Sequence, residues 1–149
     1  MHLAELRIEN FRMFGSVDKG ITVPFNRRLT ALVGENDAGK TAVVDALRLL
    51  LGTRDQEFLR VEDVDFHDPG DGTARSTEIR IRGKFVELGQ ANEAAFDEYL
   101  TYEDPEGAVT PVLYVSWRAT VSRTASSQRR VTTIEVRSGV GADGPALDA

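Results

Sequence analysis

The octapeptide GENDAGKT, Gly34 to Thr41, constrains this chain of 149 residues more than any other stretch. An apolar run, Leu29 to Val33, precedes it, and the helix-like TAVVDALRLLL follows it. A loop that leaves a buried strand, turns on glycine and enters a helix gathers successive main-chain N–H groups around one small volume, and the helix start adds its dipole. Such a pocket suits a ligand that packs several negative charges together, as a triphosphate does. Gly34 and Gly39 let the backbone bend and approach without a Cβ in the way. Lys40 supplies a mobile cation between the β- and γ-phosphates and is the catalytic candidate, while Thr41 supplies a hydroxyl to a magnesium ion. The alternative is a glycine-rich turn whose lysine merely points into water.

Around this loop the periodicity changes twice. Leu6 and Ile8 alternate with Arg7 and Glu9, and Ile21, Val23 and Phe25 alternate after the turn signal Lys19–Gly20. Leu29 to Val33 lacks alternation, which predicts a buried central strand. From Thr41 to Leu51, Val43, Val44, Leu47, Leu50 and Leu51 are expected on one helical face and Asp45 and Arg48 on the other, with Gly52 as the stop. Residues 53–76 read as a long loop with one short helix. EIRIRGKFVEL alternates again, with Ile79, Ile81 and Phe85 against Arg80, Arg82 and Lys84. QANEAAFDEYL reads as an exposed helix closed by Asp104–Pro105, and VLYVSWRATVS and VTTIEVRS as an antiparallel hairpin with Trp117 in the core. The expected fold is α/β: a strand–loop–helix unit set into mostly antiparallel strands over residues 1–138, with 139–149 as a flexible tail.

Composition closes off other classes. The absence of cysteine excludes disulfides and thiolate metal sites, and no apolar run approaches a membrane span. With a charged N-terminus as well, a cytoplasmic protein without a membrane role is expected. The net charge of −6 argues against nucleic acid gripped over the whole surface. Residues 54–71 hold seven acids against two arginines, so DNA contact there would have to be local.

The interior of the loop, with Asn36 and Ala38 in GxNxAGKT, resembles the ABC-type ATPases of DNA maintenance, the RecF, SMC and OLD (overcoming lysogenisation defect) group. LRIENFRMF, Leu6 to Phe14, looks like that group's opening strand. TAVVDALRLLL and DVDFHDP, Asp63 to Pro69, are similar to stretches of OLD-family nucleases in particular. The resemblance implies a P-loop NTPase with an ABC-ATPase-like mixed sheet and an antiparallel β subdomain. It implies ATP and Mg2+ as ligands, held by Arg12, Gly34, Asn36, Asp37, Ala38, Gly39, Lys40 and Thr41, with Thr41 on the metal. It also implies a homodimer formed through ATPase heads, and DNA as partner of the complete protein. In complete OLD proteins a Toprim nuclease follows. Neither an LSGGQ-like signature loop nor a strand ending in Asp-Glu is found, so the fold is expected to be incomplete, the first half of a head that binds without efficient turnover. Arg12 is alternatively a strand-end arginine, paired with Glu9 or solvated. Asp65 and His67 read as a helix cap and a surface imidazole, or as groups coordinating magnesium or a water. Gln56 and Gln90 are both candidates for the family's γ-phosphate-sensing glutamine. Arg80, Arg82 and Lys84 read as a solvated face or a face for DNA or a partner.

Overall fold

Period-two patterning builds one sheet, and an amphipathic helix, the longest among the described residues, closes one side of it. The structure is a computed structural model describing residues 1–16, 18–52, 61–104, 107–123 and 130–139. In chain order the elements are β1 (His2–Glu9), β2 (Ile21–Pro24), α1 (Lys40–Leu51), β3 (Glu78–Val86), α2 (Gln90–Ala95), β4 (Leu100–Glu103), β5 (Thr110–Arg123) and β6 (Arg130–Ser138). All pairings are antiparallel, in the order β2-β1-β3-β5-β4, with β6 also on β5. Leu113 pairs with both Phe85 and Leu100, and Trp117 with both Ile81 and Val136. Strands β4 and β6 therefore lie end to end along the edge of β5 that faces away from β3.

The inward side of each strand carries the alternating residues the sequence pattern selects. Leu6, Ile8, Ile79, Ile81 and Ala119 are fully buried and Trp117 nearly so, forming the sheet's contribution to one core. Helix α1 lies across β1, β3 and β5. Its buried residues are Ala42, Val43, Asp45, Ala46, Leu49 and Leu50. The expected apolar face was placed about one residue off, since Val44 and Leu51 stand 39% and 53% exposed while Asp45 faces inward. The shift is explained by charge: the buried Asp45 reaches the half-buried Arg12, as described below. Gly52, with φ of 57°, ends the helix as expected.

The outward face of the sheet is polar and internally paired. Arg80 and Arg118 both bond Glu78, Lys84 Nζ donates to Glu103 at 2.7 Å, and the Arg82 guanidinium lies 5.8 Å from the Tyr114 ring centroid. The basic stripe of β3 thus meets a carboxylate of β3 itself, one of β4 and an aromatic ring of β5.

Two expectations fail locally. Leu29 to Val33 is not a strand; Leu29 and Val33 are 79% and 92% exposed. A strand needs a ladder for its N–H and C=O groups, and among the described residues none lies beside this segment. Instead Thr30 Oγ1 and Asn26 Oδ1 accept main-chain N–H groups of Asn26 and Arg28, which curls 26–30 into a turn. QANEAAFDEYL is helical only to Ala95; a 3-10 turn spans Asp97–Tyr99, and Leu100 begins β4, because pairing with Leu113 outweighs the helical pattern. Of the stretch 53–76, read as a long loop with one short helix, the described part 61–76 is loop with a 3-10 turn at Asp63–Asp65. Gln56 and residues 140–149 of the expected tail lie outside the described residues. Among the described residues no helix is long and apolar enough to cross a membrane.

Candidate functional site

Helix α1 begins directly at the phosphate-type loop, so the site is built from the helix start outward. Gly39 takes φ of 85° and caps the helix, with Val43 N–H donating to its carbonyl at 3.0 Å. Asp37 is also left-handed, at φ of 67°, and Ala38 N–H returns to Glu35 O at 3.2 Å. The first-turn N–H groups of α1 have no intrahelical acceptor by construction, and they open toward a cleft of about 580 Å³. That cleft is lined by Arg12, Met13, Asn36, Asp37, Gly39, Lys40, Thr41 and Ala42.

Of the expected ligand-binding residues, Arg12, Asn36, Asp37, Gly39, Lys40 and Thr41 come together on this wall. Gly34 and Ala38 do not line it; they pack on each other, and a Cβ at Gly34 would sit 3.2 Å from that of Ala38. Gln90 opens α2, is exposed and is not part of the wall. Lys40 is neither bare nor solvent-directed. Its ammonium donates to the carbonyls of Gly34 at 2.7 Å and Glu35 at 2.5 Å, folding the cation back over the loop that carries it.

Arg12 reaches the cleft from a tight turn between β1 and β2. It has φ of 51°, and its N–H donates to Asp65 O at 2.7 Å. Phe11 bridges to Phe66, His67 N–H donates to Asn10 O at 2.9 Å, and His67 Nδ1 bonds the Arg12 carbonyl at 2.7 Å. Because a carbonyl only accepts, that imidazole nitrogen carries the proton. The guanidinium is held by Asp65 at 2.9 Å and Asp45 at 2.6 Å, and it stacks on Phe11. Its partner is therefore not Glu9, which pairs with Arg7. Burial works against the charge of Arg12, but the hydrogen bonds and charges of Asp65 and Asp45 outweigh it and raise its pKa above the ordinary value. Asp65 serves as the expected cap as well, accepting the Glu62 N–H at 2.9 Å.

Sequence reasoning missed two residues. Asp45 was assigned to the solvent face; an acid between Val44 and Ala46 in an apolar helix is a signal, since a buried carboxylate requires a partner. Met13 carries no chemical signal and lines the cleft through the turn that presents Arg12.

Chemically, the wall offers helix-start N–H donors, two cations and one hydroxyl, with Asp37 its one carboxylate among the described residues. No cluster of three or more His, Cys, Asp or Glu suited to a metal is found among the described residues. That donor set fits magnesium carried in with phosphates, because this ion keeps most of its waters and takes few protein ligands.

The arrangement of loop, helix and antiparallel sheet defines a P-loop NTPase fold of the ABC-ATPase type. The backbone agrees, at 15% identity and a TM-score of 0.61, with a solved structure from work on ATP-driven dimerization and DNA-stimulated activation of SMC ATPases. The match covers 99% of this chain and 73% of that one. It also agrees with a head of Smc bound to the C-terminal winged-helix domain of ScpA, at 17% identity and a TM-score of 0.59, covering 99% and 38%. The chain belongs to the AAA domain family, which it matches over residues 5–142.

Its sequence relatives are of the RecN, Smc and RecF kind. It is 48% identical over 59 residues to the DNA repair protein RecN of Bacillus subtilis, covering 39% of this chain and 10% of RecN. It is 40% identical over 60 residues to the chromosome partition protein Smc of Halothermothrix orenii, covering 40% and 5%. It is 30% identical over 118 residues to the DNA replication and repair protein RecF of Chlorobium luteolum, covering 67% and 30%. The chain thus spans between 5% and 30% of the length of these relatives. The relationship is RecF/SMC-like, the broader group that the opening strand and loop interior resemble.

Proposed function

We propose that residues 34–41 bind Mg-ATP as the nucleotide site of an ATPase head of the RecN, Smc and RecF kind. The observation that carries this is the convergence of the α1 N-terminus, Lys40, Thr41 and Arg12 on one cleft. In this reading the loop and first-turn amides cradle the phosphates, Lys40 leaves the Gly34 and Glu35 carbonyls for the γ-phosphate side, and Arg12 meets the phosphates from the β1–β2 turn. Thr41 would hold the magnesium ion, which would supply charge neutralisation on the phosphate oxygens. Gly34 and Ala38 shape the loop from behind, and Asn36 and Asp37 form its rim. Hydrolysis needs a carboxylate that orients water, and Asp37 sits on the binding loop itself; we assign that role to an acid supplied from elsewhere in the complete protein, with turnover at an interface between two heads of a homodimer. DNA is a partner of the complete protein in this reading.

Calorimetric titration of Mg-ATP and Mg-ADP into the chain tests the site. Binding in the micromolar to millimolar range, lost in Lys40→Ala, is expected; no heat from either nucleotide at millimolar concentration overturns the assignment. ATP-specific self-association favours the head-dimer reading, whereas equal effects of ATP and ADP favour a non-catalytic module that the nucleotide merely orders. A second reading, the front of an OLD-type nuclease, rests on the resemblance of Asp63 to Pro69 to OLD-family nucleases. Metal-dependent DNA cleavage by the complete protein decides for it.

A further inference from the structure

The most heavily fastened group in the cleft wall is Arg12, and the fastening exceeds what stability requires. Of the guanidinium's five N–H donors, Nε gives one to Asp65 and Nη1 one to Asp45. Both carboxylates are buried, 7% and 9% exposed, and they come from different parts of the chain, the 63–65 turn and the middle of α1. A buried pair is weak as a stabiliser, because desolvation offsets most of the attraction. Two acids on one arginine leave an uncompensated negative charge, relieved among the described residues by Arg48 at 3.4 Å from Asp45. The main chain of Arg12 is pinned too, through Asp65 O and His67 Nδ1, in a left-handed conformation that a non-glycine residue adopts at a cost. The Nη2 edge has no acceptor among the described residues, and the residue lines the same cleft as Lys40 and Thr41. Such an outer layer of carboxylates is the usual means of fixing the direction of a group that must meet a ligand.

We infer that Asp65 and Asp45 are positioning residues for the nucleotide site, acting only through Arg12, which they hold with its remaining N–H edge available to phosphate oxygens. The inference rests on the Mg-ATP reading above. Asp65 spends one carboxylate oxygen on the Glu62 N–H and the other on Arg12, so the 62–67 segment and the cleft wall share one side chain.

A double-mutant cycle separates positioning from plain structural support. Mg-ATP is titrated into the 149-residue chain as wild type, Arg12→Gln, Asp65→Asn and the double variant, with a thermal melt of each. Asp65→Asn and Arg12→Gln are each expected to weaken binding about threefold to tenfold, and the double variant no more than Arg12→Gln alone, the strong coupling of residues in contact. Losses that multiply, or wild-type affinity in Asp65→Asn, overturn the inference while leaving the nucleotide site standing. No heat with wild-type protein overturns the nucleotide site and this inference together. If Asp65→Asn does not melt cooperatively, Asp45→Asn takes its place in the cycle and the same outcomes decide.

Discussion

Replacing Gly39 by alanine tests whether the main chain at the helix start shapes the cleft. A Cβ there has two separate effects. The first is backbone strain, since Gly39 sits at φ of 85°, and an L-residue in that region costs about 1–2 kcal/mol. The second is overlap: the Cβ would lie 2.6 Å from Met13 Sδ and 2.8 Å from Phe14 Cζ, well inside the ~3.5–4.0 Å of comfortable contact. Met13 is 52% exposed and can swing aside, but Phe14 is 8% exposed and packed into the core. Overpacking of this kind costs about 1–3 kcal/mol, so the two effects sum to roughly 2–5 kcal/mol. Gly72 supplies the control. It has nearly the same φ, 86°, with nothing within 4 Å of its would-be Cβ, so Gly72→Ala carries the strain alone. At about 2–4 °C per kcal/mol for a chain of this size, Gly72→Ala is expected to melt roughly 4 °C below wild type and Gly39→Ala roughly 10 °C below it. The assay is a thermal melt of the three proteins followed by Mg-ATP titration of each. A Gly39→Ala protein that melts with Gly72→Ala refutes the overlap argument, and one that keeps full Mg-ATP affinity refutes the role of the Gly39 backbone in the grip.

Lys40→Ala removes two hydrogen bonds from an exposed loop and is expected to change stability by less than about 0.5 kcal/mol while weakening Mg-ATP binding at least about tenfold, a split that calorimetry beside a melt resolves. Trp117→Ala empties a site 3% exposed between Ile81 and Val136 and is expected to cost about 3–5 kcal/mol, read from the denaturant midpoint; a loss under about 1 kcal/mol would place the indole outside the core. Glu103 has its pKa lowered, first by the hydrogen bond from Lys84 and then by that from Tyr114. A depressed folded-state value means its contribution is complete above the ordinary glutamate range and fades as pH falls through the folded value. The melting difference between wild type and Glu103→Gln is accordingly expected to be largest near neutrality and to close in acid; a constant difference contradicts it.

The sheet and the loop were legible because each rests on local pattern. Ile79 and Ile81, or Leu113 and Trp117, declare a half-buried strand without reference to anything distant, and the spacing of Gly34, Gly39, Lys40 and Thr41 declares a turn into a helix. What escaped was set by partners remote in sequence. Asp45 read as a surface residue because its reason for facing inward, Arg12, lies 33 positions away. Leu100 read as the end of a helix because its strand partner, Leu113, had no visible claim on it. Leu29 to Val33 has the apolar composition of a central strand, but composition alone does not form a ladder.

That last segment bears directly on how the loop works. The exit from residues 34–39 is anchored by a helix sunk into the core, whereas the entrance is held by a turn closed by the side chains of Asn26 and Thr30 and by the partly buried Leu32. A ligand that needs every amide aligned must immobilise the entrance itself, against about 1–2 kcal/mol of chain entropy for each residue it fixes. Recognition of the phosphate group is therefore a property of the octapeptide, while the tightness of its hold is governed by whatever stiffens the five residues in front of it.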